Sequence, residues 1–182
     1  MQARGPLMVE HRLIERMIAV AKQTLNQLAT EGQIDPLLVD TVVDFIRTYA
    51  DRTHHGKEED ILFRELDMKD LSAEDRRVMD ELVQEHAVGR RTTRELVEAN
   101  ARYREGDQEA LAIVAARLST LVEFYPLHIA KEDRVFFPAS RAYLSEQDEQ
   151  ALIAEFWEFD RKMIHEKYRG LVEAHETARP RV

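Results

Sequence analysis

Four histidines stand at steps where apolar side chains are expected. His11, His54, His86 and His128 each interrupt an apolar stripe of period three to four, and Glu58 and Glu132 follow two of them by four residues. At about 100° per residue a four-residue step returns to the same face of a helix. His54 and Glu58 therefore face inward together, and so do His128 and Glu132. A carboxylate buried without a positive partner costs on the order of several kcal/mol, and no Lys or Arg stands at the matching inward steps. One histidine in such a place has an ordinary explanation, a hydrogen-bonded core residue. Four of them, one per segment and with two carboxylates beside them, call for cations. Imidazole and carboxylate oxygen together suit a pair of divalent metal ions.

The chain has no cysteine, which removes disulfides, iron–sulfur clusters and thiolate zinc sites, so any metal must be held by His and carboxylates. Its net charge is −9, with no basic stripe of the kind nucleic acid binding requires, so no nucleic-acid partner is expected. The apolar runs fall short of the roughly 20 residues that span a bilayer, and the start of the sequence lacks the apolar core of a signal peptide. The expectation is a cytoplasmic protein without a membrane partner.

The residues that hold these side chains read as five helical segments. With 182 residues, only six Gly and five Pro, the chain suits one core built from long helices. The first helix opens near Pro6 with Leu7, His11, Ile14, Ile18, Ala21, Leu25 and Leu28 on one stripe, and ends at Gly32. Asp35 caps the second, with Pro36 at its first position, and it runs to about Leu66. Ser72 and Asp75 form a capping box for the third, bounded by Gly106 and Asp107. The fourth carries Leu111, Val114, Leu118, Leu121, Tyr125, His128, Glu132 and Val135, with a kink expected at Pro126. Ser145 starts a fifth, containing Phe156, Phe159, Met163, Tyr168 and Leu171. Short connections between long helices imply an all-α, up-down-up-down four-helix bundle over residues 1–143. An amphipathic helix at 144–177 would lie on the bundle or meet a second copy in a homodimer. Residues 178–182 read as a tail with no reason to be ordered.

The histidine pattern is also duplicated. The stretch from His54 through Glu58 to Phe63 resembles that from His128 through Glu132 to Phe137, offset by 74 residues (54 to 128), and Glu10-His11 returns as Glu85-His86, offset by 75 (10 to 85). One helical hairpin appears twice, each copy with two His and one Glu.

At these residues the chain resembles the hemerythrin-like, or HHE cation-binding, family. Glu10-His11, His54-x-x-x-Glu58 with its Ile-Leu-Phe, Glu85-His86, and His128-x-x-x-Glu132 with its Phe-Phe-Pro carry the likeness, over residues 7 to 140. The resemblance implies two iron ions, His11 and His54 on one, His86 and His128 on the other, bridged by Glu58, Glu132 and an oxo or hydroxo group, with dioxygen bound reversibly. Zinc or another divalent metal would suit the same ligands. The oxygen-carrying members have a further histidine one turn before the third-helix ligand, where this chain has Leu82. Two six-coordinate irons offer about twelve positions, and this set fills about ten. The extra room would accommodate peroxide or nitric oxide, or another protein ligand.

Further candidates surround the six. Glu15 follows His11 by four residues, and His165 and Glu166 lie on the fifth helix. His55 points about 100° away from His54 on an α-helix, so it reads as outside the ligand set or exposed. The oxygen carriers place the fourth-helix carboxylate at the position of Asp133, whereas the internal repeat favours Glu132. Tyr125 is core or a hydrogen-bond donor to the site. Function then divides between a binding protein for oxygen storage, delivery or sensing and an enzyme that removes hydrogen peroxide or nitric oxide. A ferritin-like oxidase fits poorly, because no histidine has Glu three residues before it. A metal-free or zinc-loaded interaction scaffold is the fourth reading.

Overall fold

The computed structural model describes residues 2–177, with side chains through residue 163; the expected tail at 178–182 and the expected metal-shell candidates His165 and Glu166 lie outside the described side chains. Among the described residues the chain is all-helical, with no strand. Helix α1 is Arg4–Glu31 and closes on Gly32 at φ 72°, where the Gly32 N–H donates to the Leu28 carbonyl. A left-handed residue is easiest for glycine and ends the helix cleanly. Helix α2 covers residues 36–67. Asp35 caps it by accepting from the Leu37 N–H at 2.9 Å. Helix α3 is Ala73–Arg104, capped by Ser72, whose Oγ accepts from the Asp75 N–H at 3.1 Å. Helix α4 is Ala110–Tyr143 and α5 is Glu146–Thr177.

α1 packs on α2 and α4, and α3 on the same two, so the four surround a common interior. Two apolar clusters fill it. One gathers Ile14, Ile18, Ala50, Leu96, Leu118 and Tyr125, the other Leu7, Leu62, Phe63, Leu82, Phe136 and Phe137. In chain order His11 falls between Leu7 and Ile14, His54 between Ala50 and Ile61, and His86 between Leu82 and Leu96, so the histidines form a polar layer between two apolar ones.

Two helices change winding at that layer. α2 is α-helical over Pro36–Phe45, π-helical over Ile46–His55 and Glu58–Phe63, and α-helical again over Arg64–Asp67. α4 is α-helical over Ala110–Lys131 and π-helical over Glu132–Phe136. At Pro126, where the sequence predicts a kink, α winding continues, and the change of winding comes at Glu132. Such π segments cluster at functional sites. α4 is also long and apolar enough, by length and composition, to cross a membrane, which the sequence reading did not anticipate. Its Val114, Leu118, Leu121 and Tyr125 face the core, and the same helix buries His128 and Glu132.

α5 lies against the π region of α2. Leu152 and Phe156 are buried in the second apolar cluster, and Lys57 Nζ donates to Asp160 at 2.8 Å. A Cβ on Gly56 would come within 2.8 Å of the Phe159 ring. Gly56→Ala is therefore expected to destabilise the fold by about 1 kcal/mol through overpacking, and Phe159→Leu in the same chain should recover most of it in urea denaturation. No recovery would mean that α5 does not rest there.

Candidate metal centre

The six predicted side chains converge. His11, Glu58, His86 and Glu132 are 0% exposed, His54 is 1% and His128 2%. Glu132 is central: its Oε2 lies 3.1 Å from His11 Nε2, and its Oε1 lies 3.4 Å from His128 Nε2 and 3.7 Å from His86 Nε2. Glu58 lies opposite, with Oε1 3.5 Å from His54 Nε2 and Oε2 3.4 Å from His86 Nε2. His11, His54, Glu58 and Glu132 place one ligand atom each within 4.8 Å of one another, and His86 and His128 form a second such group with His55. All four Nε2 atoms and both oxygens of both glutamates are buried with no hydrogen-bond partner.

The other nitrogen of each imidazole is fixed. The Nδ1–H of His11 donates to Asp133 at 2.7 Å, that of His54 to Glu10 at 2.9 Å, that of His86 to Glu59 at 2.6 Å, and that of His128 to Glu85 at 2.8 Å. A carboxylate from each helix thus holds the histidine of the next, α1 to α2, α2 to α3, α3 to α4, and α4 back to α1. Each carboxylate is held in turn by a cation: Glu10 by Lys57, Glu59 by Arg90, Glu85 by Lys131 and Asp133 by Arg12. This arrangement fixes the tautomer and aims Nε2 inward, as metal-ligating histidines require.

Several sequence expectations change here. Asp133 supports His11, and Glu132 is the carboxylate that enters the centre. Glu15 is 39% exposed and pairs with Arg12 at 3.0 Å, away from the site. Lys57 is a buried cation where none was expected, but its ammonium serves Glu10 and Asp160. Leu82 is buried in the apolar cluster. Of the two alternatives for His55, outside the ligand set or exposed, the second is ruled out: it is 2% exposed, in a stretch of α2 wound as a π-helix, which turns less per residue than an α-helix. Its ring lies 3.9 Å from that of His86 at an interplanar angle of 11°. Rings that close and parallel must be face to face. An imidazole nitrogen binds metal in its ring plane, so the stacked pair cannot both ligate one ion. We therefore place His55 beside the centre and outside its ligands, despite the short nitrogen separations. The supporting carboxylates Glu10, Glu59 and Glu85 were missed as such. Their signal was the acidic residue adjoining each inward one.

Burial and charge set the protonation states before any metal arrives. Burial disfavours the His11 imidazolium, yet the hydrogen bond to Asp133 and the nearby Glu132 carboxylate outweigh it and push His11 up to about 9. Burial holds His54 down to about 4 against the pull of Glu10. Burial, then the adjacent Glu132 charge, raises Glu58 well above the usual carboxylate range. Burial acts the same way on Glu132, but His128, His11 and His86 overcome it and hold it ionised. The two glutamates share one excess of negative charge, and the apo centre keeps a proton on Glu58 and on His11.

Comparison with known proteins agrees with this geometry. The hemerythrin HHE cation-binding domain model matches residues 5–140. Uncharacterized proteins of Mycobacterium tuberculosis and Mycobacterium bovis are 24% identical over 139 residues, which is 76% of this chain and 53% of theirs. The chain thus spans about half the length of the curated relatives it matches. No solved structure matches it significantly. With the matched region covering all four helices that carry the buried His and Glu layer, the chain belongs to the hemerythrin HHE cation-binding family.

Proposed function

We propose that the chain is an up-down-up-down bundle holding two iron ions, and that it binds dioxygen or a related diatomic for storage, delivery or sensing. His11 and His54 would hold one ion, His86 and His128 the other, with Glu58 and Glu132 between them. One observation carries the reading: four buried Nε2 lone pairs and two buried carboxylates converge with no partner. Each unmet polar atom costs about 1–3 kcal/mol, and two divalent cations would satisfy all of them. Iron bound there would supply reversible coordination of the diatomic. The residues of the chain aim the ligands, exclude water through the two apolar clusters, and neutralise the outer carboxylates. The test is metal content with the optical spectrum after growth in sufficient iron. About two irons per chain are expected, and fewer than about one would overturn the reading; zinc in their place would overturn the oxygen chemistry alone.

His55 favours a second reading, removal of hydrogen peroxide or nitric oxide. It is a buried imidazole beside the centre whose Nδ1 makes no hydrogen bond and lies 3.5 Å from Asp51 Oδ1, a place from which it could give or take a proton at a bound ligand. Stopped-flow turnover of hydrogen peroxide separates the two: sustained catalysis that falls in His55→Gln at unchanged metal content supports the enzyme, and absence of turnover sinks it.

A further inference from the structure

A pocket of about 240 Å³ opens between α2 and α3 and ends beside the metal centre. Arg47 of α2 and Arg90 and Arg94 of α3 line it, and His55 and Tyr125 line its inner part. Exposure falls along that line. Arg47 and Arg94 are exposed, Arg90 is half-buried, and His55 and Tyr125 are buried. The lining has one carboxylate, Asp51, already engaged by Arg90 Nε at 2.6 Å, while the other arm of Arg90 reaches Glu59 at 2.7 Å. Arg47 and Arg94 make no ion pair among the described residues. In a chain of net charge −9, two uncommitted guanidiniums beside one pocket are a local reversal of sign. The buried His55 gives the inner end a polar group, its Nδ1 3.5 Å from Asp51 Oδ1 and without a hydrogen bond.

We propose that this pocket binds a small inorganic anion, drawn in by Arg47 and Arg94 and received at its inner end by His55. Guanidinium donors match planar oxyanions and other small anions, and they concentrate them by long-range attraction. The volume is below the roughly 300–1,000 Å³ of pockets that take drug-sized molecules, which limits the occupant to a few heavy atoms. Passage of the anion onward to a metal rests on the function proposed above; its binding at the arginines does not.

Azide is a suitable probe, titrated at constant ionic strength into metal-free, ¹⁵N-labelled protein. Saturable shifts are expected at the Arg47 and Arg94 Nε–H signals and at the His55 ring. The Arg47→Gln/Arg94→Gln variant, altered only at exposed positions, should bind azide at least about tenfold more weakly. Shifts that do not saturate, or an affinity equal in the variant, would overturn the proposal. In the iron-loaded protein the variant should slow azide association by about tenfold while leaving that of uncharged nitric oxide unchanged; equal slowing of both would assign the arginines a merely structural part. A chain that takes up no metal refutes the proposed function, and the metal-free titration still decides this one.

Discussion

Glu132→Ala is expected to lose both metal ions, falling from about two per chain to well below one, and to lose the rise in melting temperature that added iron or zinc produces. The carboxylate of Glu132 lies within 3.1 to 3.7 Å of His11, His86 and His128, so it reaches ligands of both proposed ions from the centre of the layer. Removing it leaves His11, which burial disfavours as an imidazolium, with Asp133 as its remaining acidic partner. Breaking a buried charge pair from one side costs about 3–5 kcal/mol, so the metal-free variant should also melt at a lower temperature. Elemental analysis with calorimetry reads both effects. Retention of two ions in Glu132→Ala would remove the central carboxylate from the centre, and with it the proposed bridging.

The outer ring predicts a graded contrast. Glu10→Ala leaves every inward ligand in place, frees His54 Nδ1 and leaves Lys57 with Asp160, so metal affinity should weaken by about 10–100-fold without vanishing. Glu15→Ala, at a half-buried position outside the cluster, should change neither metal content nor melting. The duplication explains why one ring can serve all four histidines. Each hairpin copy brings an acidic neighbour before one histidine and an acidic pair after the other, so the second copy closes on the first.

Much of this was legible because helical periodicity is a strong signal over long segments. His11, Glu58, His86 and Glu132 stood at apolar steps, and burial followed. The capping residues Asp35 and Ser72 placed two helix starts for the same local reason, since their side chains meet N–H groups that the helix leaves free. What escaped depended on geometry that a 3.6-residue period cannot express. His55 is buried in a stretch of α2 that winds as a π-helix, and no local propensity announced it. Lys57 is buried where no inward cation was expected, and α5 supplies its partner Asp160, a contact more than a hundred residues away in sequence. The ring of Glu10, Glu59, Glu85 and Asp133 was visible as acidic neighbours, but its pairing across helices is a tertiary fact.

Metal-induced stabilisation is expected to grow steeply between pH 6 and pH 9. In the metal-free protein His11 holds its proton up to about pH 9, and Glu58 stays protonated well above the usual carboxylate range. Both must deprotonate to ligate, and each such proton weakens apparent metal affinity by about tenfold per pH unit below its pKa. The metal-free fold has the opposite slope over this range. The raised pKa of His11 contributes stability that is fully present below its unfolded value of 6.5 and is lost as pH rises toward about 9. On the acid side, His54 is depressed to about 4. The unfolded chain then takes up a proton below pH 6.5 that the folded chain refuses, and stability falls from 6.5 toward 4. The metal-free protein should therefore melt highest near pH 6.5. Calorimetry at pH 5.5, 6.5, 8 and 9, with chelator or with redox-inert zinc, checks both arms. Because the metal replaces the protons on His11 and Glu58, the gap between the two melting curves must widen with pH; a gap that is constant or shrinks would mean that these side chains do not give up protons to a cation.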